Sequence, residues 1–232
     1  MPAMPSFGLV LDLSHTGFAA VLSSDGEEVL ASEVRHGGTR HDDLGDWLEG
    51  LLKQAGAGAA DSSRASAVWK DVAWICVGLG PGSFTGIRIA MAFAQGVALP
   101  QKIPLFGFTS FEALFLSFPG TGHDPIHGPV AAVAANSGRF YLARSIDDPG
   151  VLTTKEDVDQ GNRPVLLPDD HWDFVRIARH AREFDGGRGR DARKPYYLQL
   201  SAAEDKAVSD KATADKAASD KAAADAALSA LP

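Results

Sequence analysis

The chain has 232 residues, 45% of them hydrophobic, enough for one large domain or two small lobes around a real core. Its 30 acidic residues stand against 22 basic ones, a formal net charge of −8, which argues against a protein that wraps nucleic acid or anionic membrane with its whole surface. The single cysteine, Cys76, permits no internal disulfide and no cysteine-rich zinc site. The N-terminus lacks a basic region and no apolar run nears the ~20 residues a bilayer requires, so the chain reads as soluble, cytoplasmic and not exported.

Phe7 to Leu13 is a near-continuous apolar run, the mark of a strand buried on both faces. Ala19 to Ser23, a turn at Ser24-Asp25-Gly26 and Val29 to Val34 then make three strands joined by tight turns. Leu44, Trp47, Leu48, Leu51, Leu52 and Ala55 recur at helical spacing, and Gly56 stops the pattern. Beyond a small-residue linker, Ala57 to Ala67, a fourth strand runs from Val72 to Val77 and a second helix from Ile87 to Leu99. Leu105 to Phe108 gives a short fifth strand, and Thr109-Ser110 caps a third helix, Phe111 to Phe118.

The loop Pro119 to Pro129 holds three glycines and three prolines and reads as a boundary between lobes. Val130 to Ala135 and Phe140 to Arg144 restart the pattern as two strands. A later helix, Asp170 to Phe184, places Phe174, Ile177, Ala178 and Ala181 on one face, with aspartates at its start and arginines toward its end as the helix dipole favours. From Asp205 a DK pair returns every five residues, a period that leaves no apolar stripe to bury, and the segment reads as a solvated tail.

Three strands, helix, strand, helix, strand, helix is the order of the ribonuclease-H-like lobe in the sugar kinase, actin and heat-shock ATPase (ASKHA) class. The expectation is an α/β, actin-like protein of two lobes with mixed sheets flanked by helices, the second lobe shortened. Residues 1–118 form the first lobe, 119–129 the connecting loop, 130–204 the second lobe and 205–232 the tail.

The stretch GPGSFTG lies between a strand and a helix, where backbone amides make an anion site in principle. No GK[ST] follows it, Gly80, Gly82 and Gly86 do not fit GxGxxG, and Ser83 is one position out of register for a nucleophile elbow. The helix that follows is broken only by Arg88 and Gln95, so it is covered on more than one side. Ala90, Ala94 and Ala98 at four-residue spacing allow another backbone close, either the first helix of the same lobe or another protein.

Asp12, in Asp12-Leu13-Ser14-His15, stands where actin-like ATPases hold phosphate, but Ala134-Ala135-Asn136-Ser137-Gly138 offers no carboxylate at the matching turn. ATP hydrolysis by the chain alone is not expected, and Asp12 reads equally as a polar strand end. Among seven histidines the best metal spacing, His123 to His127, contains Pro125, which breaks the helix such a pair needs; His36 and His41 read as loop residues. Arg176, Arg179, Arg182, Arg188, Arg190, Arg193 and Lys194 concentrate basic charge suited to RNA phosphates, yet Glu183, Asp185 and Asp191 among them favour a solvated helix face.

From Gly80 to Ala98 the chain resembles the bacterial TsaB (YeaZ) proteins, whose hallmark is GPGSFTGxRxxxxxxxGLA after the fourth strand, with Val97 here where leucine is usual. Asp12-Leu13-Ser14, His41 and Lys194-Pro195-Tyr196-Tyr197-Leu198 extend the likeness, with Gln199 in place of the family's arginine, over residues 6 to 200. Asn136-Ser137-Gly138-Arg139 departs from the usual Asp-Ala-Arg.

The resemblance implies a non-catalytic subunit of the machinery that makes threonylcarbamoyladenosine in tRNA. It implies pairing with the catalytic paralogue TsaD, ATP-dependent recruitment of the ATPase TsaE, contact with tRNA through the complex only, and a possible homodimer. No catalytic residue, metal or cofactor of its own is expected; ATP or ADP and a metal come with the partners. Ile87, Ala90, Met91, Ala94 and Ala98, with Leu44 and Leu48, are the expected partner interface. Gly80, Pro81, Gly82, Ser83 and Gly86 shape the corner that aims the helix, and Asp12 and Ser14 are candidate nucleotide contacts at the joint. The alternatives are a glycoprotease-like metallopeptidase and an actin-like ATPase or kinase using Asp12.

Overall fold

The computed structural model describes residues 6–36, 43–58, 65–118, 128–135, 138–160, 163–168 and 171–184. The chain divides into two units, 1–196 and 197–232, and every described residue lies in the first.

Strands β1 (Phe7–Asp12), β2 (Gly17–Ser23), β3 (Val29–Arg35), β4 (Val72–Gly78) and β5 (Leu105–Phe108) form one sheet in the order β3-β2-β1-β4-β5. β1 and β2 run antiparallel, with Asp12 opposite Phe18, whereas β4 lies parallel to β1 and β5 parallel to β4. The first strand is buried along its whole length, as its unbroken apolar run requires of a central strand.

Alternate side chains serve the two faces of this sheet. Leu9, Leu11, Ala19, Val21, Ile75 and Val77 meet helices α1 (Leu44–Gln54) and α2 (Phe84–Gln101) in one core. On the other face Phe18 packs on Phe108, Trp172 and Phe174, with ring centres 6.3, 4.6 and 5.5 Å away. That face is covered by α3 (Ser110–Ser117) and α5 (Phe174–Phe184), which pack on each other. Trp74 spreads over Gly8, where an added Cβ would come within 1.9 Å of the indole ring.

The second sheet has β6 (Val130–Ala134), β7 (Arg139–Ala143), β8 (Val151–Thr154) and β9 (Val165–Leu166) in the order β8-β7-β6-β9, with β9 parallel to β6. A short helix, α4 (Lys155–Gln160), follows β8. Two mixed sheets flanked by helices make the actin-like α/β architecture read from the strand and helix order. No helix among the described residues is long and apolar enough to cross a membrane.

Several elements differ from the sequence reading. The linker expected from Ala57 to Ala67 passes into a 3-10 helix, Ala65–Asp71, whose Trp69 is buried and gives its indole N–H to Glu49 at 3.2 Å. Helix α2 begins at Phe84, three residues before Ile87, because the Ser83 hydroxyl accepts from the Gly86 N–H at 3.2 Å and caps it. It runs on through Pro100 to a left-handed Lys102 (φ 57°). β8, α4 and β9 leave no clear signal in the sequence, because they are short and carry little periodicity.

The helix expected from Asp170 starts at Phe174, and it packs against α3, β4 and β5 of the first part of the chain. Its arginines are tied down rather than presented as a patch. Arg182 donates to the Asp25 carbonyl at 2.7 Å and lies 4.7 Å over the Trp74 ring, Arg179 meets Glu27 at 2.6 Å, and Arg176 donates to the Leu116 carbonyl at 2.5 Å. Arg188, Arg190, Arg193 and Lys194, the resemblance at 195–199, and the tail from Asp205 lie outside the described residues, as do His41, His123 and His127.

Candidate functional site

The stretch GPGSFTG forms a tight corner between β4 and α2 that lies across the end of β1. The Ser83 N–H donates to the Ser14 carbonyl, and the Ser110 N–H donates to the Gly80 carbonyl at 2.9 Å. The Ser110 hydroxyl gives its one proton to the Pro81 carbonyl at 2.8 Å, so in the 2.9 Å contact between the Ser14 and Ser110 hydroxyls Ser14 is the donor. At Gly82 an added Cβ would stand 2.1 Å from the Ser14 carbonyl oxygen, and at Gly86 it would stand 1.9 Å from that of Leu13. Glycine is needed at both because backbone meets backbone.

Thr109 and Glu112 close the start of α3 as a reciprocal cap: the Thr109 hydroxyl accepts from the Glu112 N–H, and a Glu112 carboxylate oxygen accepts from the Thr109 N–H at 2.7 Å. The corner is therefore held by the starts of both helices and by the end of β1. Gly86→Ala is expected to cost about 2 kcal/mol or more, read as a lower urea midpoint, because the obstructing atom is a carbonyl and cannot swing away.

The corner aims α2, and the burial along α2 corrects the expected interface. Ile87, Ala90, Met91, Ala94 and Ala98 are buried against β1, β4 and β5, in the same core as Leu44 and Leu48 of α1. The small residues let the helix approach its own sheet, so none of these seven side chains is presented to a partner.

The opposite face of α2 is the one exposed. It carries Arg88, Ala92, Gly96 and Leu99, the last 73% exposed, and the Arg88 guanidinium lies 3.6 Å over the ring of the partly exposed Phe84. Pro100 has no N–H, so the Gly96 carbonyl lacks its usual donor four residues on. An added Cβ at Gly96 would meet nothing within 4 Å. Helix α1 exposes Asp46, Gly50, Lys53 and Gln54.

Asp12 and Ser14, the candidate nucleotide contacts, are buried at 0% and 1% exposure. One Asp12 oxygen accepts from the Ser14 N–H at 2.6 Å and ties the turn after β1; the carboxyl group fills the space that a Cβ on Gly78 would occupy, 2.3 Å away. Neither side chain reaches a surface where a nucleotide at a joint could touch it, so this assignment is corrected too.

The second Asp12 oxygen is 3.6 Å from Nε2 of His15 and has no hydrogen-bond partner among the described residues. Burial lowers the His15 pKa from its ordinary value and the Asp12 charge opposes that shift. Both ring nitrogens of His15 and the Trp172 indole nitrogen are likewise buried without partners among the described residues, and the two rings stack 5.3 Å apart. No group of three or more His, Cys, Asp or Glu side chains among the described residues is placed to hold a metal ion. Cys76 is buried and its thiol is pushed up by burial, which makes it a core residue with no nucleophilic character. Asn136 and Ser137, in the turn that matches Asp12, lie outside the described residues.

Comparison with known proteins adds family information. The family described as TsaD, tRNA N6-adenosine threonylcarbamoyltransferase, matches residues 59–162, a little under half of the chain. The tRNA threonylcarbamoyladenosine biosynthesis protein TsaB of Escherichia coli (strain K12) is 29% identical over 98 residues, 42% of this chain and 41% of that protein. The protein of the same description from Buchnera aphidicola subsp. Schizaphis graminum is 44% identical over 45 residues, 19% of this chain and 21% of that protein. The matched stretches thus span less than half the length of these curated relatives.

Among solved structures, YeaZ from Pseudomonas aeruginosa superposes with a TM-score of 0.61 at 21% identity, over 83% of this chain and 100% of that one. A crystal structure described as an uncharacterized protein with similarity to peptidase YEAZ from Pseudomonas aeruginosa gives 0.60 at 20% identity, over 84% and 100%. These two likenesses carry the fold.

Proposed function

We propose that the chain is a TsaB/YeaZ-type protein of the ASKHA superfamily and a non-catalytic subunit of the assembly that makes threonylcarbamoyladenosine in tRNA, a reading supported by its likeness to the TsaB relatives and the TsaD family model. It pairs in the cytoplasm with the catalytic subunit TsaD and supports recruitment of the ATPase TsaE. Nucleotide and metal enter with those partners, and tRNA is met through the complex. The observation that carries the pairing role is the outward face of α2, an apolar and small-residue surface fixed in place by the GPGSFTG corner.

That face suits helix-to-helix contact. Ala92 and Gly96 let a partner backbone approach, Leu99 supplies apolar area, Arg88 supplies a charge, and the Gly96 carbonyl offers an acceptor. Burying Leu99 alone favours association by about 1.5–3 kcal/mol before the cost of docking. The same face also accommodates a second copy of the chain when TsaD is absent.

Gly96→Arg and Ala92→Arg place a long charged side chain at the centre of this face, where the lobe itself has room. Each is expected to leave the melting curve within a few degrees of the parent and to weaken co-purification with TsaD by at least about tenfold. Pairing at parental strength in both variants would remove the interface from α2.

A further inference from the structure

We propose that His15, stacked on Trp172, is an acid-sensitive latch that holds the α5 end of the chain on the five-stranded sheet and loosens when the ring takes up a second proton. The geometry is particular. His15 stands in the turn after β1; Trp172 stands two residues before α5, and the two rings lie 5.3 Å apart at 21°. Phe18 flanks both, 6.3 Å from His15 and 4.6 Å from Trp172, so the imidazole sits among aromatic rings with its nitrogens unpartnered among the described residues. A neutral ring fits there. Among the described residues a cationic ring there finds no acceptor for its second N–H and has the Asp12 carboxylate alone, 3.6 Å from Nε2.

The charged groups around the latch do not all act in one direction. Asp12 favours the protonated ring and is outweighed by burial. His171 adjoins Trp172 and is exposed, and Asp173 accepts from the Arg176 N–H at 2.9 Å and is engaged at the start of α5. On α5 itself Arg179 meets Glu27 and Arg182 meets the Asp25 carbonyl. His180 stands 3.0 Å from the Glu112 carboxylate of α3 and ties α5 to that helix. Loosening on mild acidification is the signature of His15.

The sign follows from linkage. A histidine whose folded pKa is depressed adds stability that is fully present above its unfolded value, near 6.5, and is lost as pH falls through the folded value. Hydrogen exchange of the full chain, followed on peptides covering 174–184 and on β4 as an internal reference, reads this without any substitution. Protection of α5 is expected to fall several-fold, at most about tenfold per pH unit, between about pH 7 and about pH 5.5, while β4 holds. In His15→Gln, which has no proton to gain, the α5 response is expected to vanish; in His180→Gln it is expected to persist. Protection of α5 that is independent of pH in the parent chain, or that falls equally in His15→Gln, overturns the latch. If His15→Gln does not fold, titration of the His15 ring by NMR in the parent decides: a value at or above 6.5 overturns the proposal, as does a lower one that does not coincide with the fall in α5 protection, and a lower one that coincides with it upholds it.

Discussion

Ala94→Arg is expected to unfold the first unit rather than merely to uncouple it from a partner. Ala94 is 1% exposed and lies with Ile87, Ala90, Met91 and Ala98 between α2 and the sheet. An arginine there has neither volume nor a counter-charge, and a buried unpaired charge costs several kcal/mol, comparable with the ~5–15 kcal/mol that holds a domain together. Expression as insoluble protein, or loss of a cooperative thermal transition, is the expected reading. From the sequence this substitution looks like one that would break pairing and spare the fold, because the small-residue stripe fits a partner helix as well as it fits a sheet. Gly96→Arg, on the outward side of the same helix, is expected to behave in the opposite way, so the two variants together locate the face.

Ile177→Asp is expected to strip α5 from the sheet and abolish cooperative unfolding, although α5 belongs by sequence position to the second half of the chain. Ile177 is fully buried, and with Phe174, Ala178 and Ala181 it forms the apolar side of α5, which packs on α3, β4 and β5. Losing this cover exposes the Phe18, Phe108 and Phe111 surface, each ring worth about 1.5–3 kcal/mol of burial. A chain ended at residue 168 is expected to fail in the same way, measured by circular dichroism melting. Retention of a two-state melt in either case would mean that residues 1–118 hold their sheet without α5.

The strand and helix order was legible because β1, β2 and β4 are written as apolar runs and α1 as a clear amphipathic stripe, Leu44, Trp47, Leu48, Leu51 and Leu52. The GPGSFTG corner was legible as structure by elimination, since it lacks the lysine and the nucleophile register of catalytic loops. The orientation of α2 was not. With Arg88 and Gln95 as the only breaks, its apolar surface runs nearly all the way round, and periodicity cannot choose a side. Leu99 and Phe84, apolar yet exposed, are what the pattern misassigns.

Asp12 shows a different limit. A carboxylate at a strand end suits a phosphate site and a backbone turn equally, and only the 2.6 Å bond to the Ser14 N–H with the closure by Gly78 and Gly82 selects the turn. The arginines of α5 could not be placed from sequence either, because their acceptors, Asp25, Glu27 and Leu116, stand far away along the chain. Trp172, an apolar side chain just before a helix, is the one signal in the sequence for the contact that this segment makes with His15.

The most direct test of the proposed role is reconstitution of tRNA modification from TsaD, TsaE, the enzyme that makes the threonylcarbamoyl adenylate, and this chain, with threonylcarbamoyladenosine in tRNA measured by mass spectrometry. Modification is expected to require the chain, to be restored by Asp12→Asn if that variant folds, and to fall to background with Gly96→Arg despite an intact melt. Full modification without the chain, or with Gly96→Arg, would contradict a pairing subunit that works through the outward face of α2.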